Sequence, residues 1–401
     1  MSLLDDADAA EELDVANPSI IGDAEFEDAF GETLDRTLDF GTWTDGDDLA
    51  AAYQRLYDQI SQAVRQESHL RERTRAYVFD RLRERHPAMG VFAMPFDDLK
   101  RIHEQVLFNG GIEVSDGTSL VHDTLPITVA QIGVCIVAYS GRQNTWVRRT
   151  FRRDVRLKYA DPLEEVIDAL NRRGQRSSDM AGRHDQISNL GRRGIMAYAE
   201  RAILREKGKG NWYLGHGPAL PYELLTGSGH MGLLDRALDV LEWLWLSHKR
   251  ALYVPSSPGR TLQTIGNALD PLEYAFVDTA EHAARQIVDH GHYAGAARHR
   301  LEEFVADVAP QLVVGVYRAA PQAPAYAFYA HRDYAHLAAR IAIADAALQE
   351  NRGFPMLIDL ADAVCRTTFG GGAFLSVLES AYAEAGAPYA YMPERATRRT
   401  H

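Results

Sequence analysis

Cysteine is scarce: the 401 residues hold two, Cys135 and Cys365, with no CxxC spacing. That excludes a disulfide framework or a thiolate zinc site, and both are expected to be reduced core thiols of a cytoplasmic protein. No apolar run reaches the length of a bilayer span, so neither a transmembrane helix nor a membrane partner is expected. The N-terminus, MSLLDDADAAEELD, lacks a basic region followed by an apolar core and is not expected to be a signal peptide. Internal repeats are absent. Basic residues are nearly absent from the first fifty positions, where Arg36 stands alone against many Asp and Glu. This segment accounts for essentially the whole net charge of −13. It is either a solvated tail or a docking segment for a basic surface.

What is present is an apolar fraction of 46 %, ample for a sizeable core. From Leu49 to about His86 apolar residues recur every three or four positions without Gly or Pro. This predicts one or two long amphipathic helices with charged outer faces. Residues 112–120 (IEVSDGTSL) read as a strand closed by an Asp116–Gly117 turn, and Thr124 to Tyr139 as a long neighbouring strand. Asp116 would then sit at the tip of a strand pair, facing a cleft, unless Asp–Gly serves only as a hairpin turn.

Between Arg142 and Lys209 the composition turns basic. Arg148, Arg149, Arg152, Arg153, Arg156 and Lys158 alternate with Val, Phe and Leu, and Arg172, Arg173, Arg176, Arg183, Arg192 and Arg193 follow. The stretch is either a surface for a phosphate backbone or a solvated face neutralised by Asp154, Glu164, Glu165 and Asp168. No regular aromatic interleaving marks a base-stacking platform.

Ser188 to Lys207 predicts a helix carrying Glu200, and Asn211 to Leu214 a strand ended by Gly215-His216-Gly217-Pro218. Glu200 would otherwise be an ordinary surface glutamate, and His216 a turn histidine. Gly232 to Lys249 predicts an apolar helix and Arg250 to Val254 a buried strand. Gln311 to Arg318 with Ala325 to Tyr329 predicts a hairpin. Tyr334 to Asn351 predicts a helix, and after Gly353-Phe354-Pro355 further helices carry Asp362. Asp289-His290-Gly291-His292 has no third ligand at useful spacing and reads as a loop.

Carboxylates thus fall at a strand end (Asp116), on the following helix (Glu200) and on a late helix (Asp362), with His216 at the end of the next central strand. A ribonuclease-H-like sheet brings acidic side chains together from such positions. Clustered carboxylates repel one another unless a hard divalent cation lies between them. Mg²⁺ and Mn²⁺ prefer oxygen ligands, and Mn²⁺ also accepts imidazole. Paired ions of this kind hydrolyse phosphodiesters.

From about Phe108 to Tyr391, in scattered motifs, the chain resembles the NurA nucleases, which act with the HerA ATPase in DNA end resection and, in some bacteria, in phage defence. The family's VDGS motif is met by VSDGTS at Asp116. Its helix glutamate is met by YAERAIL at Glu200, and YLGHGPALP occupies the place of its second aspartate. Its late GYP motif, with Leu and then Ala-His on a helix, is met by GFPMLIDLAD at Gly353, Pro355, Ile358 and Ala361. Two positions depart from the pattern: His216 replaces an aspartate and Asp362 a histidine. If these two share one metal, the exchange keeps one imidazole and one carboxylate in the site. Otherwise both are losses, and the chain is an inactive adaptor.

The resemblance implies an α/β protein with a ribonuclease-H-like core: an acidic segment (1–48), a helical region (49–107) and a nuclease domain (108–401). It implies a Mn²⁺- or Mg²⁺-dependent DNA nuclease using two-metal-ion catalysis, with Asp116, Glu200, His216 and Asp362 as catalytic metal ligands. Arg148, Arg149, Arg152 and Arg153 would guide DNA. A homodimer docked on a HerA-type hexameric ATPase is implied as the partner assembly. A generic helical interaction protein is the remaining alternative, and it requires the motif order to be accidental.

Overall fold

In a computed structural model of the chain, the β-branched runs flanking Asp116 become the long strands of a nine-stranded mixed sheet. The structure describes residues 23–43, 49–85, 89–124, 127–153, 167, 189–257, 259–290 and 293–387. Strands β1 (Gly90–Ala93), β2 (Ile112–Thr124), β3 (Ile127–Val137), β4 (Gln143–Arg153), β5 (Trp212–His216), β6 (Ala251–Val254), β7 (Glu273–Thr279), β8 (Leu312–Arg318) and β9 (Tyr326–His331) lie in the order β1-β7-β8-β9-β6-β5-β2-β3-β4. The helices that matter for the site are α1 (Leu49–Arg85), α2 (Asn189–Lys207), α3 (Met231–Glu242), α4 (Ala335–Ala346) and α5 (Met356–Phe369).

Strands β2, β3 and β4 form an antiparallel meander. β5 joins β2 in parallel and β6 joins β5 in parallel. This is a ribonuclease-H-like arrangement, extended beyond β6 by antiparallel β9, β8, β7 and β1. Strands β5 and β6 read as apolar runs because both faces are covered, and all four residues of β6 are buried. On one side α3 buries Leu234, Ala237, Leu238, Val240 and Leu241. One contiguous apolar core joins the sheet to its helices.

Three local expectations change. Asp116–Gly117 is not a turn, since β2 runs straight through it and pairs with β3 from Val114 to Thr124. The strand Gly90–Ala93 was not foreseen, because it is too short to show alternation and owes its place to pairing with β7. The long helix over 49–85 forms as one piece, but its apolar residues are not all turned inward. Thr74, Phe79 and Leu82 are buried near its C-terminal end, and Arg75 pairs with Glu273 at 2.8 Å. In its first part Leu49, Tyr53, Leu56, Tyr57, Ile60 and Val64 remain exposed.

Helix α5 begins after Gly353-Phe354-Pro355, where Gly353 takes a φ of +65° that disfavours any side chain. A fully buried carboxylate from α4, Asp345, accepts the Leu357 backbone N–H at 3.0 Å and so satisfies one orphan donor of the first turn. Its other oxygen bonds the Tyr139 hydroxyl at the end of β3. Asp345 therefore ties α5 to both α4 and the central meander.

Burial raises the Asp345 carboxyl to about 6, although the bonds from Tyr139 and Leu357 oppose the shift. The folded state thus holds this proton more tightly than the unfolded chain does. Its stabilising contribution is complete below the ordinary aspartate value of about 4 and is lost as pH rises through about 6. Asp345→Asn removes the charge and keeps an acceptor for Leu357, while its amide nitrogen replaces the oxygen that accepts from the Tyr139 hydroxyl. The stability difference, variant minus parent, should shift toward the variant between about pH 4 and pH 8, as read by thermal melting. A difference that stays constant across that range would show that Asp345 does not titrate against folding.

Candidate active site

The site forms where two parallel strands part. β2 and β5 pair only from Ile112 to Ser115 against Trp212 to Gly215, after which β5 ends at His216 while β2 continues. Crevices outside the carboxyl ends of parallel strands are the usual ligand sites of such sheets. Asp116 is the first residue of β2 past the paired segment, and it is 6 % exposed.

Successive strand residues point to opposite faces. Asp116 lies directly across from Cys135, whose thiol donates to Ala361 O of α5 at 3.3 Å, so Asp116 belongs to the α5 face. Cys365 of α5 donates to the Asp116 carbonyl at 3.1 Å. Gly117 points the other way, toward α2. A Cβ there would stand 2.5 Å from Glu200 Oε1 and 2.7 Å from Met196 Cγ. Gly117 is thus glycine for close approach, and this is what lets Glu200 reach the strand beside Asp116.

The electrostatics follow from this packing. Burial raises the Asp116 carboxyl well above the usual carboxylate range, and the nearby charge of Asp362 raises it further. Burial likewise raises Glu200, with Asp116 as the next cause, while Arg201 opposes the shift. Asp116 and Glu200 thus approach the same point of β2 from its two faces, close enough for the Asp116 charge to act on Glu200.

His216 and Asp362 border the pair. His216 is exposed at the end of β5 and meets Phe354 edge-on at 5.9 Å between centroids. Partial desolvation of its ring lowers its pKa, with Asp362 the first of the opposing charges. Asp362 lies on α5, half-buried, and pairs with Arg366 at 2.8 Å. Among the described residues, no three His, Cys, Asp or Glu side chains stand close enough together to hold a metal ion. The chemistry of the donor set nevertheless fits a hard divalent cation. Asp116 and Glu200 offer two oxygen donors largely withdrawn from water, with Arg201 only loosely engaged at 3.6 Å from Glu200, and Mg²⁺ is commonly held by one or two carboxylates with water and substrate phosphate completing its shell.

Of the basic residues, Arg148 and Arg149 are exposed on β4, the edge strand, and Arg149 Nε donates to Gln131 Oε1 at 2.7 Å. Arg152 and Arg153 lie in the same strand, but their side chains fall outside the described residues. Arg156, Lys158, Arg172, Arg173, Arg176, Arg183, Gly291 and His292 also lie outside them. Arg193 pairs with Glu223 at 2.6 Å. Two features escaped sequence reasoning: the spacer role of Gly117 and the buried Arg201 beside Glu200. Neither has a local signal, since each depends on what the fold brings against it.

No family model matches the chain, and none of the curated proteins does. Among solved structures, the chain is similar to the NurA nuclease from Sulfolobus solfataricus, with a TM-score of 0.42 and 10 % identity over 84 % of this chain and 99 % of that one. A NurA bound to dAMP and manganese is similar at a TM-score of 0.36 and 9 % identity, over 66 % of this chain and 90 % of that one. Endonuclease V from Ciona intestinalis, in complex with a 24mer DNA, is similar at a TM-score of 0.27 and 12 % identity, over 78 % and 98 %. At such scores the site rests on its own residues.

The packing at Gly117 is open to a stability test. Gly117→Ala overpacks the slot that holds Glu200 and should cost about 1–3 kcal/mol in denaturant unfolding. Combined with Glu200→Ala, the cost of the added methyl should fall, a non-additivity expected of groups in contact. Equal costs in both backgrounds would place Glu200 away from the strand.

Proposed function

We propose that the chain is a metal-dependent DNA nuclease whose centre is the Asp116–Glu200 pair. The observation that carries this reading is the packing of Glu200 against Gly117, the residue after Asp116, at the carboxyl end of a ribonuclease-H-like parallel pair. Asp116 and Glu200 would hold Mn²⁺ or Mg²⁺, with His216 and Asp362 as the further ligands of a two-ion site. A bound divalent ion supplies Lewis-acid polarisation of the phosphodiester. The protein's own part is to exclude water from the Asp116 side and to fix Glu200 against the strand. Arg148, Arg149, Arg152 and Arg153 would lie along the DNA backbone, positioning it without reading its sequence.

The motif order from VSDGTS to GFPMLIDLAD supports a place beside a HerA-type hexameric ATPase in DNA end processing or phage defence. Exposed apolar side chains along the first part of α1 support a homodimer. We take the domain plan to be an acidic segment, a helical region and the nuclease domain, with boundaries at 48 and 107.

A second reading, an inactive adaptor that only binds the motor or DNA, is favoured by one observation. Asp362 is paired with Arg366 of its own helix.

Purified parent protein should cleave linear DNA in Mn²⁺. Asp116→Ala and Glu200→Gln should each lower the rate on the order of 10²-fold or more while remaining folded. Undiminished cleavage by either variant removes that residue from the chemistry. No cleavage by the parent in any divalent ion, with and without a hexameric ATPase, favours the adaptor.

A further inference from the structure

Arg201 is 1 % exposed, one of the largest fully buried side chains of the molecule. Burying a guanidinium is costly unless it is paired and hydrogen-bonded. Here its partners come from three elements. Nη1 donates to Ala197 O of its own helix α2 at 3.0 Å, and Nη2 donates to Pro218 O, just past His216, at 2.9 Å. The guanidinium carbon lies 4.6 Å above the ring of Tyr253 in β6, which pairs directly with Gly215 of β5. Nη1 is 3.6 Å from Glu200 Oε2, an attraction rather than a good hydrogen bond.

Two polar atoms of this cluster, Arg201 Nε and Tyr253 OH, are buried and find no hydrogen-bond partner among the described residues. Such orphans lower stability, so burial of this charge is not explained as a fold-stabilising device. What the guanidinium does is bridge. It joins the helix that carries Glu200 to the segment that carries His216, across the gap that opens where β2 and β5 part.

We propose that Arg201 is a positioning residue: its planar fork sets the spacing between Glu200 on α2 and the end of β5 bearing His216, and so shapes the cation site. This rests on the reading of Asp116 and Glu200 as the nuclease centre. Lysine cannot replace it, because a single point donor does not span two carbonyls on different elements.

The test uses the full chain as Arg201→Met, which keeps the stem and removes the fork, and Arg201→Lys, which keeps the charge. In the metal-free proteins, hydrogen exchange over residues 214–220 should accelerate about 10-fold or more in Arg201→Met, and less in Arg201→Lys. Exchange over β7 should stay as in the parent. Mn²⁺ affinity, read from the electron paramagnetic resonance of free Mn²⁺, should fall about 10- to 100-fold in Arg201→Met. In the nuclease assay kcat should fall with KM for DNA little changed. Parent-like exchange over 214–220 in both variants overturns the proposal, as does parent-like Mn²⁺ affinity. Loss of the fold in both variants also overturns it, since Arg201 would then determine the fold and not a local spacing. A parent that binds no Mn²⁺ defeats the nuclease reading instead, and the exchange comparison alone then decides the positioning role.

Discussion

The repulsion between two buried carboxylates, Asp116 and Glu200, is the constraint around which the rest of this structure is arranged. In water-poor surroundings, the charge of Asp116 adds to the reluctance of Glu200 to ionise. A fold tolerates such a pair only where something else over-determines its geometry. Here three features do so. β2 and β5 separate just before Asp116, Gly117 leaves a slot for the Glu200 side chain, and α5 closes the other face through Cys365 and Ala361.

The scaffold behind the pair is stiff for identifiable reasons. Helix α5 is anchored at its start by Asp345, which also holds Tyr139 of the meander. Helix α2 is tied to the end of β5 through Arg201, and β6 packs beneath both with all its residues buried. His216, exposed, and Asp362, half-buried, are the less enclosed members of the crevice. The outer part of α1 contrasts with this core, since its row of Leu, Tyr and Ile side chains contributes nothing to the fold that carries the site.

Much of the architecture was legible because burial imprints itself on short runs. The β-branched run over 124–139, the buried strand at 251–254 and the hairpin of β8 and β9 all appear as expected. The helix carrying Glu200 and the GFP break before α5 do as well. Asp116 was legible as a carboxylate of strand β2, but its setting was not. Asp-Gly is strong turn chemistry locally, and only the arrival of Glu200 and Met196 against Gly117 shows that the glycine serves close approach in mid-strand. Strand β1 is too short to carry a period, and β7 passed unnoticed within a mixed stretch. Arg201, adjacent in sequence to Glu200, looks like an ordinary helical charge pair until β6 is placed beneath it. The exchange of His216 and Asp362 was visible as a departure from a family pattern, and the i,i+4 spacing of Asp362 and Arg366 on one helix made their ion pair legible too.

The most direct test of the central claim is anomalous diffraction at the manganese edge from crystals of the protein soaked in Mn²⁺. The account predicts a manganese peak within coordination distance, about 2.0–2.2 Å, of both Asp116 and Glu200 carboxylate oxygens. Full Mn²⁺ occupancy elsewhere with no peak between these two side chains would contradict it.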